Sequence, residues 1–143
     1  MLSVWEFLAS REGVFMVNLI LSASLGYLIG AEREFRKKDA GISTHILVIS
    51  GAMMFTYMSS MVDPDSQSRI AAQIVSGVGF LGAGLILKDS EGDRVRNLTT
   101  ASSIWFCAAV GMAIGYQWYA IAVMASFIGL IVPRIPRVGK EDK

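Results

Sequence analysis

The side chains that could do chemistry in this chain are few and fall into two sets. The first set is Glu32, Arg33, Thr44, His45, Asn97, Thr99 and Thr100, joined by Ser102 and Ser103. It combines a carboxylate, a guanidinium, an imidazole and a thread of hydroxyls. Such groups can enclose a polar pocket, and histidine is the one side chain here whose unperturbed pKa would permit switching near neutral pH. His45 is the only histidine, so it cannot form a metal site alone. Glu32–Arg36 and Glu34–Lys38 are spaced as i,i+4 ion pairs, which also suits a solvated helix end.

The second set is Asn18, Asp63, Asp65, Arg69 and Gln73. The turn Asp63-Pro64-Asp65 offers two carboxylates that could weakly attract a divalent cation. Two ligands in one loop make no dedicated site, and capping of the next helix by Asp65 or Ser66 is the favoured explanation. Nowhere does a nucleophile stand with a base, and no cofactor is implied. The single cysteine, Cys107, excludes an intrachain disulfide. Gly77, Gly79 and Gly82 match G-x-G-x-x-G, but that fingerprint needs a βαβ unit. Here it lies within an apolar run of helical length, which favours helix packing over nucleotide binding. The residues therefore argue against an enzyme.

The elements that position these side chains follow from charge distribution. A hydrophobic fraction of 53% with only 17% charged residues is high for a soluble domain of this size. Five stretches, 14–31, 40–62, 70–87, 98–115 and 116–132, contain no Asp, Glu, Lys or Arg. The first, third and fourth have 18 residues each, roughly 27 Å of helix, close to the hydrocarbon thickness. The first reads as a span and not a cleaved signal, because only Arg11 precedes it and no small-x-small site precedes Glu32-Arg33-Glu34. The expected fold is an all-α integral membrane bundle of five helices, at about 14–31, 42–62, 70–87, 98–115 and 116–132. Residues 1–13 would add an interfacial segment, with Leu2, Trp5 and Leu8 spaced by three, and 133–143 a basic tail.

Five spans place 11 of the 13 basic residues on one side, in the loops 32–39 and 88–97 and in the tail. Only Arg11 and Arg69 fall on the other. The positive-inside rule then puts the amino terminus outside and the carboxyl terminus in the cytoplasm. The first polar set becomes cytoplasmic and the second faces outward. A net charge of +1 gives no argument for nucleic acid.

In lipid, small residues that admit a close backbone are the informative letters. Gly26 and Gly30 follow Ser22 at intervals of four, and Gly111 and Gly115 share that interval. The third span carries Gly77, Gly79, Gly82 and Gly84, which makes it the expected central helix.

Four stretches resemble a known family. They are Gly30-Ala31-Glu32-Arg33, Ala40-Gly41-Ile42-Ser43-Thr44-His45, the run 71–84 (AAQIVSGVGFLGAG), and Leu98-Thr99-Thr100-Ala101 through Trp105. In this order they resemble the MgtC/SapB family of bacterial inner-membrane proteins. The resemblance implies a five-span domain and a role in adaptation to magnesium limitation and, in pathogens, to life inside host phagocytes. It also implies a regulator acting on membrane partners, the F-type ATP synthase among them, and not a magnesium pump. Asn97 and Ser102 depart from the family's glycine and alanine, and Cys107 lies one residue beyond the position some virulence-associated members use. Members of that subgroup carry a soluble domain after the last span, whereas this chain ends 11 residues after Val132.

The expectation is therefore a non-enzymatic regulatory membrane protein, working through a partner or through its own oligomer. The absence of a charged residue deep in any span agrees with that, since pumps usually place one there. The alternative is a small oligomeric cation transporter or channel.

Overall fold

The computed structural model describes residues 3–88 and 95–135. Among them are six α-helices: α1 (Val4–Ala9), α2 (Arg11–Phe35), α3 (Ile42–Val62), α4 (Gln67–Leu85), α5 (Leu98–Gly115) and α6 (Tyr119–Ile131). Four, namely α2, α3, α4 with its leading 3-10 turn, and α5, are long and apolar enough to cross a membrane. α6 and the 3-10 turn after it form a shorter apolar helix, Tyr119–Arg134. The basic residues Arg94, Arg137, Lys140 and Lys143 lie outside the described residues, as do Leu2 and most of the tail.

Local sequence sets the helix ends. α1 starts in a capping box, with Glu6 N–H donating to Ser3 Oγ and Ser3 N–H donating to the Glu6 carboxylate. Those bonds from Ser3 hold the Glu6 carboxyl below its ordinary pKa. α2 and α5 both end in a Schellman motif. Lys38 N–H reaches Arg33 O at 3.0 Å and Trp118 N–H reaches Ala113 O at 2.8 Å. The left-handed residues are Lys37 and Gln117, at φ 54° and 62°. Neither is glycine, so each turn holds on the order of 1 kcal/mol of strain against a clean reversal of the chain.

Several helix ends differ from the expected spans: α2 extends beyond 14–31 at both ends, and α4 begins at Gln67, ahead of residue 70. The third span stops at Leu85, because Leu87–Lys88 is extended and pairs antiparallel with Val95–Arg96. The last begins at Tyr119, because Tyr116–Trp118 forms the turn. The expected side-chain cap on α4 is absent. Pro64 opens a 3-10 turn that runs straight into the helix, and Ser66 makes no capping bond.

Successive long helices alternate in direction, so α2 lies parallel to α6 and α3 parallel to α5. The core lies where α2, α3, α5 and α6 meet, at Ile29, Ile49, Met53, Val110, Ile114 and Ala122. Bare backbone brings them together. A Cβ on Gly26 would lie 2.7 Å from the Ile46 Cα, and one on Gly30 2.5 Å from the Ile42 Cα. On α5, Gly111 meets the Ile49 carbonyl, and a Cβ on Gly115 would lie 2.6 Å from the Thr56 Cβ.

The expectation that the glycine-rich helix is central is overturned. α4 buries only Ile74 and Gly82, and lies at the edge against α5 and part of α3. Gly77, Gly79 and Gly84 have nothing within 4 Å of a built Cβ, while Gly82 has only ordinary contact with Ala101. The central helix is α5, which touches α2, α3, α4 and α6. Small size permits a close neighbour but does not say whether that neighbour belongs to the same chain.

The contrast is testable by thermal unfolding in detergent. Gly30→Ala and Gly115→Ala should each cost about 1–3 kcal/mol through overpacking. Gly77→Ala and Gly79→Ala should be neutral or stabilise by up to about 1 kcal/mol, because alanine is the better helix former.

Candidate functional site

The end of the bundle where α2 and α6 finish and α3 and α5 begin holds a buried charged cluster. Arg33, in the last turn of α2, is 1% exposed and points inward. Its Nη2 donates to Thr100 Oγ1 at 2.8 Å, while its Nε is buried without a partner among the described residues. Thr100 is fixed in the first turn of α5, itself 2% exposed.

His45 lies beside this pair, fully buried in the first turn of α3. Its Nδ1 stands 2.8 Å from Gly41 O, and a carbonyl only accepts, so Nδ1 carries the proton. Nε2 lies 3.1 Å from Ser103 Oγ and, in the neutral ring, accepts from that hydroxyl. The imidazole thus ties α3 to α5 as Arg33 ties α2 to α5. Gly41 provides the carbonyl, and Glu34 turns back so that Ile42 N–H donates to its Oε2 at 3.1 Å.

That use of Glu34 replaces the expected Glu34–Lys38 pair, which does not form among the described residues. A carboxylate gains more from an orphan N–H at a helix start than from an exposed lysine. Glu32 does pair with Arg36, at 3.5 Å, and also with Arg134 at 3.4 Å. The second pairing joins residues 102 apart in sequence, and no spacing rule could have found it.

The rest of the first set is less enclosed. Thr44 and Thr99 are exposed. Asn97 is half-buried in the left-handed conformation, φ 63°, that turns the chain into α5. Ser102 donates to Leu98 O within its own helix at 2.9 Å.

The second set is split by the fold. Asn18 is fully buried on α2, where its Oδ1 accepts from the Tyr119 hydroxyl of α6 at 2.9 Å. Asp63, Arg69 and Gln73 lie elsewhere, with Ser59 and Ser66, along a recess of about 510 Å³ between α3 and α4. Asp65 is exposed on the 3-10 turn and does not line that recess. A single outer site built from all five residues therefore does not exist. Asn18 joins α2 to α6, whereas Asp63 lines the recess between α3 and α4. Among the described residues no three His, Cys, Asp or Glu side chains gather as a metal site would require.

Ser22, expected only as a small packing position, and Thr56 and Ser59, which no sequence signal marks, are buried with hydroxyls that lack a partner among the described residues, and the Ser50 hydroxyl is likewise unpartnered. A hydroxyl in an apolar run gives no sign of which way it faces.

The arrangement can hold charge at one end of the bundle, and its hydroxyl–imidazole contact, Ser103 on His45, joins α5 to α3. Cys107 is buried with a free thiol. The layer between the two polar ends is formed by Ile29, Ile49, Met53, Val110 and Ile114, each 0% exposed.

Comparison with known proteins bears on this geometry directly. Residues 19–138 match the MgtC family, from within α2 through α6 and across the charged cluster. The chain belongs to the MgtC family. It is similar to Protein MgtC of Salmonella typhimurium (strain LT2), 46% identical over 114 residues, 80% of this chain and 48% of that protein. Protein MgtC of Brucella abortus (strain 2308) is 48% identical over 114 residues, 79% of this chain and 47% of its own. This MgtC-family chain thus spans about half the length of the curated relatives it matches. No solved structure matches it.

Thr100→Val removes the acceptor for a buried guanidinium. It should lower stability in detergent by about 1.5–3 kcal/mol, with Thr100→Ser recovering most of that. Thr99→Val, one residue away and exposed, should leave the unfolding midpoint unchanged. Equal effects at the two positions would show that Arg33 does not depend on the bond.

Proposed function

We propose that this chain is a non-enzymatic regulatory protein of the bacterial inner membrane, acting through helix contacts with another membrane protein. The uncovered face of α4 carries the reading. Ala72, Ser76, Gly79 and Ala83 recur at intervals of four, three and four, and all are exposed. In lipid such a stripe favours close approach of another helix. The family resemblance supplies the setting, adaptation to magnesium limitation, and offers the F-type ATP synthase as a candidate partner. The buried apolar layer of isoleucine, methionine and valine speaks against a conduit through a single copy.

The topology belongs to the same proposal. α6 with its 3-10 turn covers 16 residues, roughly 24 Å, short of the hydrocarbon thickness by an amount that local thinning can absorb. Counted as a span, it gives five crossings with the amino terminus outside and Arg33, Arg36 and Arg134 in the cytoplasm.

A channel assembled from several copies is the competing reading. The recess holding Asp63, Ser66, Arg69 and Gln73 favours it as a polar entrance.

Two measurements decide these points. Gly79→Leu should leave detergent unfolding unchanged yet abolish the chain's support of growth in low-magnesium medium. Growth retained by that variant would remove the α4 contact from the mechanism. Magnesium flux into proteoliposomes should equal that of empty vesicles, and faster flux would favour the channel. For topology, in a Cys107→Ser background, Asp65→Cys should react with an impermeant maleimide in intact spheroplasts. Lys37→Cys should react only after permeabilisation, and the reverse pattern would invert the bundle.

A further inference from the structure

α3 and α4 are joined by a short turn, yet they do not close on one another along their length, because α4 leans mainly on α5. The seam left open is an apolar slot of about 530 Å³. Gly51 of α3 and Gly77 of α4 stand one in each wall, and a Cβ built on either meets nothing within 4 Å. Ala52 and Ile74 form the buried floor, with Ala108 of α5 behind them. At one end the slot opens into the recess of about 510 Å³ that holds Asp63, Ser66 and Arg69, since Phe55, Ile70 and Gln73 line both. Arg69 and Gln73 are exposed there, so a ligand in the recess can reach them.

Length and charge together select the occupant. From Ile70 to Leu81 the slot follows α4 for roughly 16 Å. That is close to the depth of one leaflet's hydrocarbon, about 15 Å, whereas a partner helix crossing the membrane would need a seat about twice as long. Arg69 lies in the first turn of α4, at the edge of the apolar run, and its guanidinium suits a phosphate. Asp63 stands in the same mouth and opposes excess negative charge. The slot also uses a different face of α4 from the stripe Ala72, Ser76, Gly79 and Ala83. At about 100° per residue, Ile74, Gly77 and Leu81 lie roughly opposite those four.

We propose that the α3–α4 seam is a binding site for one glycerophospholipid. One acyl chain lies in the slot against Gly51 and Gly77, and the phosphodiester sits on Arg69 with the Gln73 amide as a second donor. Only the placement of α3 and α4 in a membrane is required, and neither a protein partner nor a magnesium role. A lipid seated there covers the recess that a channel of several copies would use as its entrance, and it leaves the small-residue stripe of α4 bare.

The test is native mass spectrometry of the full chain in mild detergent, exchanged with equal amounts of phosphatidylglycerol and diacylglycerol of matched acyl chains. One phosphatidylglycerol per chain should be retained roughly tenfold over diacylglycerol, the scale of one charge-assisted hydrogen bond. Arg69→Gln should bring the two lipids level, and Asp63→Asn should raise retention of phosphatidylglycerol. Gly77→Leu and Gly51→Leu, which fill the slot from either wall, should lower retention of both lipids. Arg134→Gln, at the opposite end of the bundle, should change nothing. Equal retention of the two lipids by the unaltered chain overturns the proposal. So does retention undiminished in folded Gly77→Leu and Gly51→Leu, or a loss with Arg134→Gln as large as with Arg69→Gln. Lipid-free dimers that Gly77→Leu abolishes would assign the slot to a second copy and overturn it too. Impermeant labelling at Asp65→Cys separates these failures from a failure of the membrane assignment.

Discussion

Between helices already surrounded by hydrocarbon, burying another leucine gains little, so this bundle depends on how closely two backbones can approach. Gly26 and Gly30 on α2 lie against the Ile46 and Ile42 backbone of α3. Gly111 and Gly115 on α5 lie against the same stripe of α3 further along, at Ile49 and Thr56. α3 is thereby clamped by glycines from two helices. The apolar core and the charged end are both set by that clamp, since it brings the first turns of α3 and α5 beside the last turn of α2.

The charged end shows how a membrane helix can hold an arginine indoors. Arg33 enters from the helix end, where its stem covers apolar surface and its head finds the Thr100 hydroxyl. His45 repeats the device with Ser103. Each bond joins an ionisable group to a hydroxyl from α5, so α5 works both as the central helix and as the source of polar partners. Between the two ends, the buried residues described carry no charge.

α4 stands apart from this scheme. Its small residues are as numerous as those of α5, yet they look outward, and only Ile74 and Gly82 are covered. The family match covers this helix along with α3, α5, α6 and most of α2.

The long apolar helices and the bounds of α3 and α5 could be read from the chain, because long uncharged runs and the charges bounding them are one-dimensional facts. The glycine pairs at intervals of four on α2 and α5 were legible for the same reason. What the one-dimensional pattern could not carry was direction around the helix axis. It could not distinguish the inward glycines of α5 from the outward ones of α4, or place Asn18 with Tyr119 and apart from Asp63. Nor could it see Glu32 meet Arg134 across 102 residues, since parallel packing of α2 and α6 exists only once the helices between them have folded. Residue type and spacing dictate what can lie in lipid, and packing alone decides which faces meet, because a small side chain permits contact without naming its partner.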